Sequence, residues 1–163
     1  MIFHDPEIIL KRFILPGDTV VDIGCGPGYF TIPMAYMVGE KGKVIAIDLQ
    51  EKMIERLNKK IDRYFLVRKR IEPLVCQEND LNVNEQANFI LTFWMVHEVT
   101  DPGKLFSQIK DILKPDSYYL LSEPKFHVRR KQFDSIVAKA KAAGLKPVEE
   151  AEIAFSRSMV FTV

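Results

Sequence analysis

A glycine-rich segment with one acidic neighbour is the part of this chain best suited to bind a ligand. The apolar run Thr19–Ile23 carries Asp22 and leads into the segment GCGPG at 24–28. Glycines adopt positive φ angles and let a ligand approach the backbone closely. The helix predicted to follow offers free N–H groups and the positive end of its dipole. The segment therefore predicts a strand, a tight turn and a helix start that together bind a nucleotide-type ligand.

The spacing of the three glycines separates two classes of ligand. Dinucleotide-binding loops read G-x-G-x-x-G, but the third glycine of that pattern, counted from Gly24, falls on Tyr29. A pyrophosphate is also poorly matched to a nearby carboxylate, whereas a cationic ligand tolerates Asp22. Spacing and charge together favour a cationic ligand over a dinucleotide.

A second carboxylate ends the next predicted strand. Residues 43–47 form a short apolar run typical of a buried strand, and Asp48 follows it. Asp48 lies roughly 20 residues beyond the glycine loop, where α/β nucleotide-binding folds place an acid on the ribose hydroxyls. The other interpretation is a cap for the helix that begins near Gln50, and the two roles are compatible.

Composition limits the class of protein. The chain has 163 residues, 47% hydrophobic and 28% charged, with a net charge of +1, which predicts one globular domain over residues 1–163. No strong overall charge calls for nucleic acid or a membrane surface. Cys25 and Cys76 form neither a disulfide framework nor a metal cluster, so a reducing, cytoplasmic location is expected. Charged residues, prolines or glycines interrupt every apolar run before it reaches the length of a membrane span.

Alternating strands and helices are expected to position the ligand-binding residues. Helix-like segments separate the first five strand-like runs, which predicts a parallel sheet with helices on both faces. The last two strands have no helix between them, which predicts a hairpin. Strands are expected near 19–23, 43–47, 73–77, 88–93, 117–122, 147–154 and 157–163. Helices are expected near 6–14, 29–38, 50–70, 102–113 and 127–143.

From Asp18 onward, this order of elements resembles the class I S-adenosylmethionine-dependent methyltransferases. The pattern D-x-G-x-G-x-G at 22–28 is similar to their first motif. The segment MVHEVTDPGKLFSQIKDILKPDSYYLLSEP at 95–124 resembles the small-molecule branch related to quinone and sterol methyltransferases. That branch has two glycines after L-K-P, where Asp116 and Ser117 stand here, a difference that concerns loop geometry.

The resemblance implies a fold and a cofactor. The fold is a Rossmann-like three-layer α/β sandwich with a seven-stranded, mostly parallel sheet of order 3-2-1-4-5-7-6 and an antiparallel last strand. The cofactor is S-adenosyl-L-methionine. The glycine loop would pass beside it, Asp22 would face its aminoacyl and sulfonium end, and Asp48 would bind both ribose hydroxyls. The implied cofactor-binding residues are Asp22, Gly24, Cys25, Gly26, Gly28, Asp48, Leu49, Asp80, Leu81, Phe93 and Trp94.

Four of these residues owe their implied roles to their positions at strand ends. Leu49 would lie against the adenine, Asp80 would accept from its amino group, and Phe93 and Trp94 would line the methionine portion. Taken alone, Asp80 suits a loop or a cap, Leu49 suits packing, and Trp94 suits a core or partner surface. The open-sheet rule places all of them at the carboxyl ends of strands, where such folds bind ligands.

His97 is the candidate catalytic residue. Methyl transfer is an in-line displacement, so the protein mainly aligns and desolvates the reactants, and a base helps only when the nucleophile begins protonated. His97 follows the fourth strand, with Glu123 and His127 as secondary candidates; the alternative is a structural residue that packs or caps its loop. His4 could cover the pocket, but a frayed terminus is the preferred expectation.

The segments around this core are short. Residues 1–17 are expected to form a brief helical segment, and no inserted substrate cap is recognisable. The site is therefore expected to be open, or covered by residues 1–14, by a homodimer or by another partner. The basic residues within 52–70 and 125–131 are expected to form solvated helix faces that do not bind nucleic acid. No metal site is expected, because Trp94 and Met95 do not bind hard cations.

The function predicted on these grounds is methyl transfer from S-adenosylmethionine to an unidentified small molecule. The alternative is an S-adenosylmethionine-binding or partner subunit without its own catalysis. A nicotinamide oxidoreductase is disfavoured by the loop spacing and by the terminal hairpin.

Overall fold

Seven strands form one sheet in the order β3-β2-β1-β4-β5-β7-β6, which confirms the predicted topology. The computed structural model describes residues 4–163. The strands are β1 (Thr19–Ile23), β2 (Lys43–Asp48), β3 (Ile71–Val75), β4 (Ala87–Phe93), β5 (Leu113–Pro124), β6 (Lys146–Glu150) and β7 (Ser156–Thr162). The helices are α1 (Pro6–Leu10), α2 (Thr31–Met37), α3 (Glu51–Ile61), α4 (Pro102–Ile112) and α5 (Arg130–Ala142).

Strands β1 to β5 run parallel, and β7 is antiparallel to both of its neighbours. The predicted terminal hairpin is therefore confirmed as β6 and β7. The carboxyl ends of the five parallel strands share one edge of the sheet, and loops from several strands meet there. Ligands of open α/β sheets bind at that edge.

The helices cover both faces of the sheet because the strand side chains alternate. Val20 on β1 belongs to the core that packs against α1, α2 and α3. Its neighbour Val21 belongs to the opposite core, against α4 and α5. A period of two residues along each strand produces this division, and apolar residues on both faces suit a strand in the middle of the sheet.

Several element boundaries differ from the prediction, among them the end of α1, at Leu10 rather than residue 14, and the end of β6, at Glu150 rather than residue 154. Helix α3 ends at Ile61 rather than near residue 70, because the next buried residue is Val67 and not a residue one helical turn on. Turns and a short 3-10 helix, Arg68–Arg70, lead into β3, which starts two residues earlier than expected. Strand β5 begins at Leu113 rather than near 117. It continues through an irregularity in which Asp116 has a φ of +60°. Within residues 4–163, no helix is long and apolar enough to cross a membrane.

Candidate functional site

A cavity of about 350 Å³ opens at the carboxyl edge of the sheet. The loops after β1, β2, β3 and β4 bound it, which is where the sequence places the predicted residues, at the ends of strands. The predicted cofactor-binding residues on its wall are Gly24, Gly26, Asp48, Leu49, Asp80, Leu81, Phe93 and Trp94. The side of the cavity is completed by residues that the sequence did not single out, among them Gln50, Met53, Cys76, Gln77, Glu78, Thr100, Leu105 and Gln108.

The glycine loop is fastened to the neighbouring strand. The backbone N–H groups of Gly24 and Cys25 both donate to the carbonyl oxygen of Ile47 on β2, at 2.8 and 2.9 Å. Gly26 has a φ of +51°, and a Cβ added there would meet no atom within 4 Å. That open space belongs to the cavity, so a ligand can approach the backbone at Gly26.

Gly28 has a different role, although it belongs to the same loop. A Cβ on Gly28 would lie 2.5 Å from Cδ1 of Leu57, which is buried on α3. Gly28 therefore lets α3 pack closely against the loop and does not line the cavity. Cys25 is also buried beside the loop and away from the cavity wall, where burial raises the pKa of its thiol.

Asp48 links the glycine loop to the start of α3. Its Oδ2 accepts the backbone N–H of Gly26 at 2.9 Å, and its Oδ1 accepts the N–H of Gln50 at 2.9 Å. Each oxygen of a carboxylate can accept more than one hydrogen bond, and the side chain borders the cavity. Asp48 is therefore able to hold the two backbone segments and still accept from hydroxyl groups of a ligand.

Asp22 lies behind the loop rather than on the cavity wall. Its carboxylate is buried, and the hydroxyl of Thr31 donates to Oδ2 at 2.6 Å. The pKa of Asp22 is raised from 3.8 to about 6, chiefly by burial; the Thr31 hydrogen bond lowers it, and the nearby charge of Asp48 adds a smaller increase. A cation bound in the cavity would favour the ionised form of this carboxyl.

The loop after β3 contributes Asp80 and Leu81 to the cavity wall. Oδ1 of Asp80 accepts the N–H of Asn82 at 2.8 Å, so this side chain also closes a local turn. The N–H of Leu81 donates to Oε1 of Gln108 on α4 at 2.8 Å, which ties the loop to that helix. Asp80 and Leu81 are thus held in place at the wall by contacts within the protein.

Phe93 and Trp94 form the aromatic end of the cavity. Trp94 has a φ of +60°, a conformation that is costly for a bulky residue. Its backbone N–H donates to the carbonyl of Ser122 at 2.7 Å, and its indole Nε1 donates to Oγ of Ser156 at 2.8 Å. These two hydrogen bonds hold Trp94 in a strained backbone conformation at the carboxyl edge of the sheet. Backbone strain of this kind is often found at functional sites.

His4 is well ordered against this aromatic end, and the expectation of a frayed terminus is wrong for this residue. Only 3% of His4 is exposed. Its ring lies edge-on to Phe93 and Trp94, with centroid distances of 5.1 and 4.9 Å. The hydroxyl of Tyr29 donates to the backbone carbonyl of His4 at 2.5 Å. Residues 1–3 of the segment expected to cover the site lie outside the described residues.

His97 borders a second cavity and not the first. This neighbouring cavity of about 420 Å³ shares Val99 and Thr100 with the first and is also bordered by His127. The ring of His127 is stacked on that of His97, 5.8 Å away. Nδ1 of His97 lies 2.5 Å from Oε2 of Glu123.

Glu123 is a buried carboxylate at the end of β5, and it organises the turn after β4. It accepts the backbone N–H groups of Val96 and His97, at 2.9 and 3.2 Å, in addition to the His97 ring. Burial raises the pKa of Glu123, and the hydrogen bonds and the charge of His97 oppose that shift. Among residues 4–163, no group of three or more His, Cys, Asp or Glu side chains is arranged to hold a metal ion.

Comparison with known proteins gives three kinds of match. A family model for a methyltransferase domain matches residues 14–154. A demethylmenaquinone methyltransferase of Lactobacillus johnsonii is 34% identical over 107 residues, which are 65% of this chain and 43% of that protein. A carboxy-S-adenosyl-L-methionine synthase of Yersinia enterocolitica is 28% identical over 118 residues, 71% of this chain and 44% of that protein. The chain therefore spans less than half the length of the curated relatives it matches.

The fold and the length agree better with a solved structure. A SAM-dependent methyltransferase from Aquifex aeolicus superimposes with a TM-score of 0.87 and 29% sequence identity. The match covers 99% of this chain and 90% of that protein. The whole of the sheet and its helices therefore has a counterpart in one solved protein.

Proposed function

Because this chain belongs to the class I S-adenosylmethionine-dependent methyltransferases, we propose that it transfers the methyl group of that cofactor to a small-molecule acceptor. The observation that carries the proposal is Asp48. Its carboxylate accepts the N–H of Gly26 at the open part of the glycine loop, and the residue still borders the cavity.

The residues present fit the cofactor. Asp48 offers acceptors for the two ribose hydroxyls, and Asp80 offers an acceptor for the adenine amino group. The open space at Gly26 admits the ligand to the backbone, and the volume falls within the range of ligand pockets. Burial raises the pKa of Asp22, and a cationic ligand nearby would offset that shift and favour the ionised carboxylate. Bound there, S-adenosylmethionine supplies an electrophilic methyl group and a thioether leaving group.

The chain's own residues would bind and orient the cofactor and the acceptor, and they would exclude water from the reacting groups. Phe93 and Trp94 give the cavity an apolar end, which strengthens the electrostatic contacts inside it. Glu123 holds the turn after β4 and accepts a hydrogen from Nδ1 of His97, which leaves Nε2 of that ring able to accept a proton. His97 as a catalytic residue stays a prediction, since it borders the neighbouring cavity.

The side chains that line the cavity favour a small acceptor over nucleic acid. Among the described residues that line the cavity, none is lysine or arginine, whereas proteins that bind nucleic acid contact phosphates with such side chains. One relative is named a demethylmenaquinone methyltransferase, so the acceptor in its name is a quinone and not a nucleic acid. These two observations support the proposal of a small, uncharged or weakly charged acceptor.

Calorimetric titration tests the cofactor first. We expect micromolar binding of S-adenosylmethionine and S-adenosylhomocysteine and no heat from NADH. Absence of binding by both adenosyl ligands would contradict the proposal. Deuterated-methyl cofactor and a panel of small acceptors, analysed by mass spectrometry, then test turnover, and binding without any turnover would favour the non-catalytic alternative.

A matched substitution tests His97 separately. His97→Asn keeps an N–H donor near the position of Nδ1, so Glu123 retains its partner, but it removes Nε2. If His97 is a base, turnover falls while the dissociation constant for S-adenosylmethionine stays the same. Unchanged turnover at saturating acceptor would remove His97 from that role.

A further inference from the structure

His4 carries a buried nitrogen that lacks a hydrogen-bond partner. Its Nε2 lies 2.7 Å from the carbonyl oxygen of Ala154. A carbonyl can only accept, so Nε2 bears the hydrogen and the neutral ring has its lone pair on Nδ1. Nδ1 is buried, and no described residue donates to it. Buried polar atoms are nearly always hydrogen-bonded in native proteins, so a buried acceptor without a donor needs an explanation.

The position of His4 points to a ligand as the missing donor. The ring is in edge contact with Phe93 and Trp94, which both line the cofactor cavity. Two further contacts fix it there, the Ala154 carbonyl on Nε2 and the Tyr29 hydroxyl on the backbone carbonyl. The side chain is therefore held against two residues of the cavity wall, outside the wall itself, with one buried nitrogen that has no donor among the described residues.

The same aromatic wall continues to the surface. Phe126 lies edge-on to Trp94 at a centroid distance of 5.3 Å, and it is 66% exposed. Its ring can turn aside with little loss of packing. Phe93, Trp94 and Phe126 thus form a wall from the cofactor cavity to solvent, and aromatic rings in such a wall favour stacked or edge-on contact with another ring.

We propose that this wall binds an aromatic methyl acceptor that carries an O–H group, and that Nδ1 of His4 accepts the proton of that group. The inference rests on the proposed function and names the class of its substrate. As the bond from the methyl carbon to sulfur breaks, its electron pair stays on sulfur, and an oxygen lone pair of the acceptor forms the new bond to carbon. The acceptor's proton moves to Nδ1, and the resulting imidazolium is stabilised by the Ala154 carbonyl until the proton leaves to water.

His97 and His4 differ in which ring nitrogen is already hydrogen-bonded and in which residues the ring contacts. In His97, Nδ1 is already engaged by Glu123, and the ring borders the neighbouring cavity. In His4, the engaged nitrogen is Nε2, and the ring contacts the residues of the cofactor cavity. Neither ring lies on the wall of the cofactor cavity, but His4 packs directly against Phe93 and Trp94, which do, and it is therefore the better placed of the two to meet an acceptor beside them.

NMR of the histidine ring nitrogens tests the proposal without knowledge of the natural acceptor. The protein is saturated with S-adenosylhomocysteine and titrated with phenol, and separately with anisole, which has the same ring but no O–H. We expect phenol to shift the Nδ1 resonance of His4 in the direction of an accepted hydrogen bond, and anisole to leave it in place. Equal shifts with both probes, or none with phenol, would overturn the proposal.

Two variants define the contributions of the wall and the nitrogen. His4→Phe keeps a ring against Phe93 and Trp94 but has no acceptor nitrogen, so the preference for phenol over anisole should disappear. Phe126→Ala should raise the dissociation constant for phenol about 2- to 12-fold, the range expected for one aromatic pair. The matched control is Phe65→Ala, because Phe65 is 78% exposed and lies after α3, away from the cavity.

The outcomes separate this inference from the proposed function. If S-adenosylhomocysteine perturbs no resonance, the proposed function fails and the inference fails with it. If S-adenosylhomocysteine binds and phenol does not report on His4, only the inference fails. Retained discrimination between the probes in His4→Phe, or an equal effect of Phe65→Ala and Phe126→Ala on phenol, would likewise refute it.

Discussion

Replacement of Gly26 by alanine should separate ligand binding from folding. A Cβ at this position meets no atom within 4 Å, so the folded protein has room for it. The only cost to folding is the φ of +51°, which L-residues other than glycine adopt at about 1–2 kcal/mol. For a chain of 163 residues, that loss lowers the melting temperature by roughly 2–8 °C.

The effect on the cofactor should be larger. The added methyl group projects into space that belongs to the cavity, where the ligand is proposed to approach the backbone. Displacement of the ligand by even part of an ångström forfeits a substantial share of its dispersion contacts and lengthens its hydrogen bonds. We expect the dissociation constant for S-adenosylmethionine to rise at least about tenfold, which corresponds to about 1.4 kcal/mol.

Calorimetry and thermal unfolding measure the two effects, with Gly17→Ala as the matched control. Gly17 also has a positive φ, +96°, and open space around an added Cβ, but it lies before β1 and away from the cavity. The control should lose stability and keep its affinity. If Gly26→Ala binds S-adenosylmethionine as tightly as the unmodified protein, the cofactor does not pass over this loop and the reasoning is wrong.

Three further predictions concern buried carboxyl groups. Asp48→Asn should weaken binding of S-adenosylmethionine about 10- to 100-fold in calorimetry, because hydrogen bonds to a charged acceptor are worth about 1.5–3 kcal/mol. Asp22 has a pKa raised from 3.8 to about 6, so the folded chain binds more protons than the unfolded chain between those values. Its ligand-free stability should therefore fall by about 3 kcal/mol as the pH rises through that window. Denaturant titrations of the protein and of Asp22→Asn test this, and an equal pH dependence in both would contradict it. Glu123→Ala should cost about 1–3 kcal/mol more in unfolding free energy than Glu123→Gln, because glutamine keeps one oxygen acceptor for the N–H groups of Val96 and His97 and alanine keeps none.

The sheet could be predicted from sequence because each strand is a short apolar run between clear turn signals. The order of strands came from the resemblance, and the hairpin from the missing helix before β7. The end of α3 could not be predicted, since Tyr64 continues the helical spacing of Leu57 and Ile61 while the chain turns to bury Val67. The start of β5 was missed because Asp116 accommodates a left-handed conformation within the strand, where a turn was expected.

The site was predictable where its residues adjoin strand ends. Gly24, Gly26 and Asp48 follow β1 or end β2, so their positions in the sequence already placed them at the carboxyl edge. Met53, Cys76 and Gln108 also line the cavity, but they come from three different elements and have ordinary side chains, so no local pattern marks them. The burial of His4 depends on a contact with Ala154, 150 residues away.

The turn between β6 and β7 joins parts of the molecule that are remote in sequence. Ala154 in this turn holds the ring of His4, and Ser156 at the start of β7 holds the indole of Trp94. The amino-terminal segment, the end of the central strand β4 and the final hairpin therefore form one cooperative unit of local unfolding. An opening of the turn releases both aromatic side chains at once, so amide and indole hydrogens in all three regions would exchange with solvent at a common rate. Access to the aromatic end of the cavity then depends on the stability of a hairpin that contributes no residue to the cavity wall.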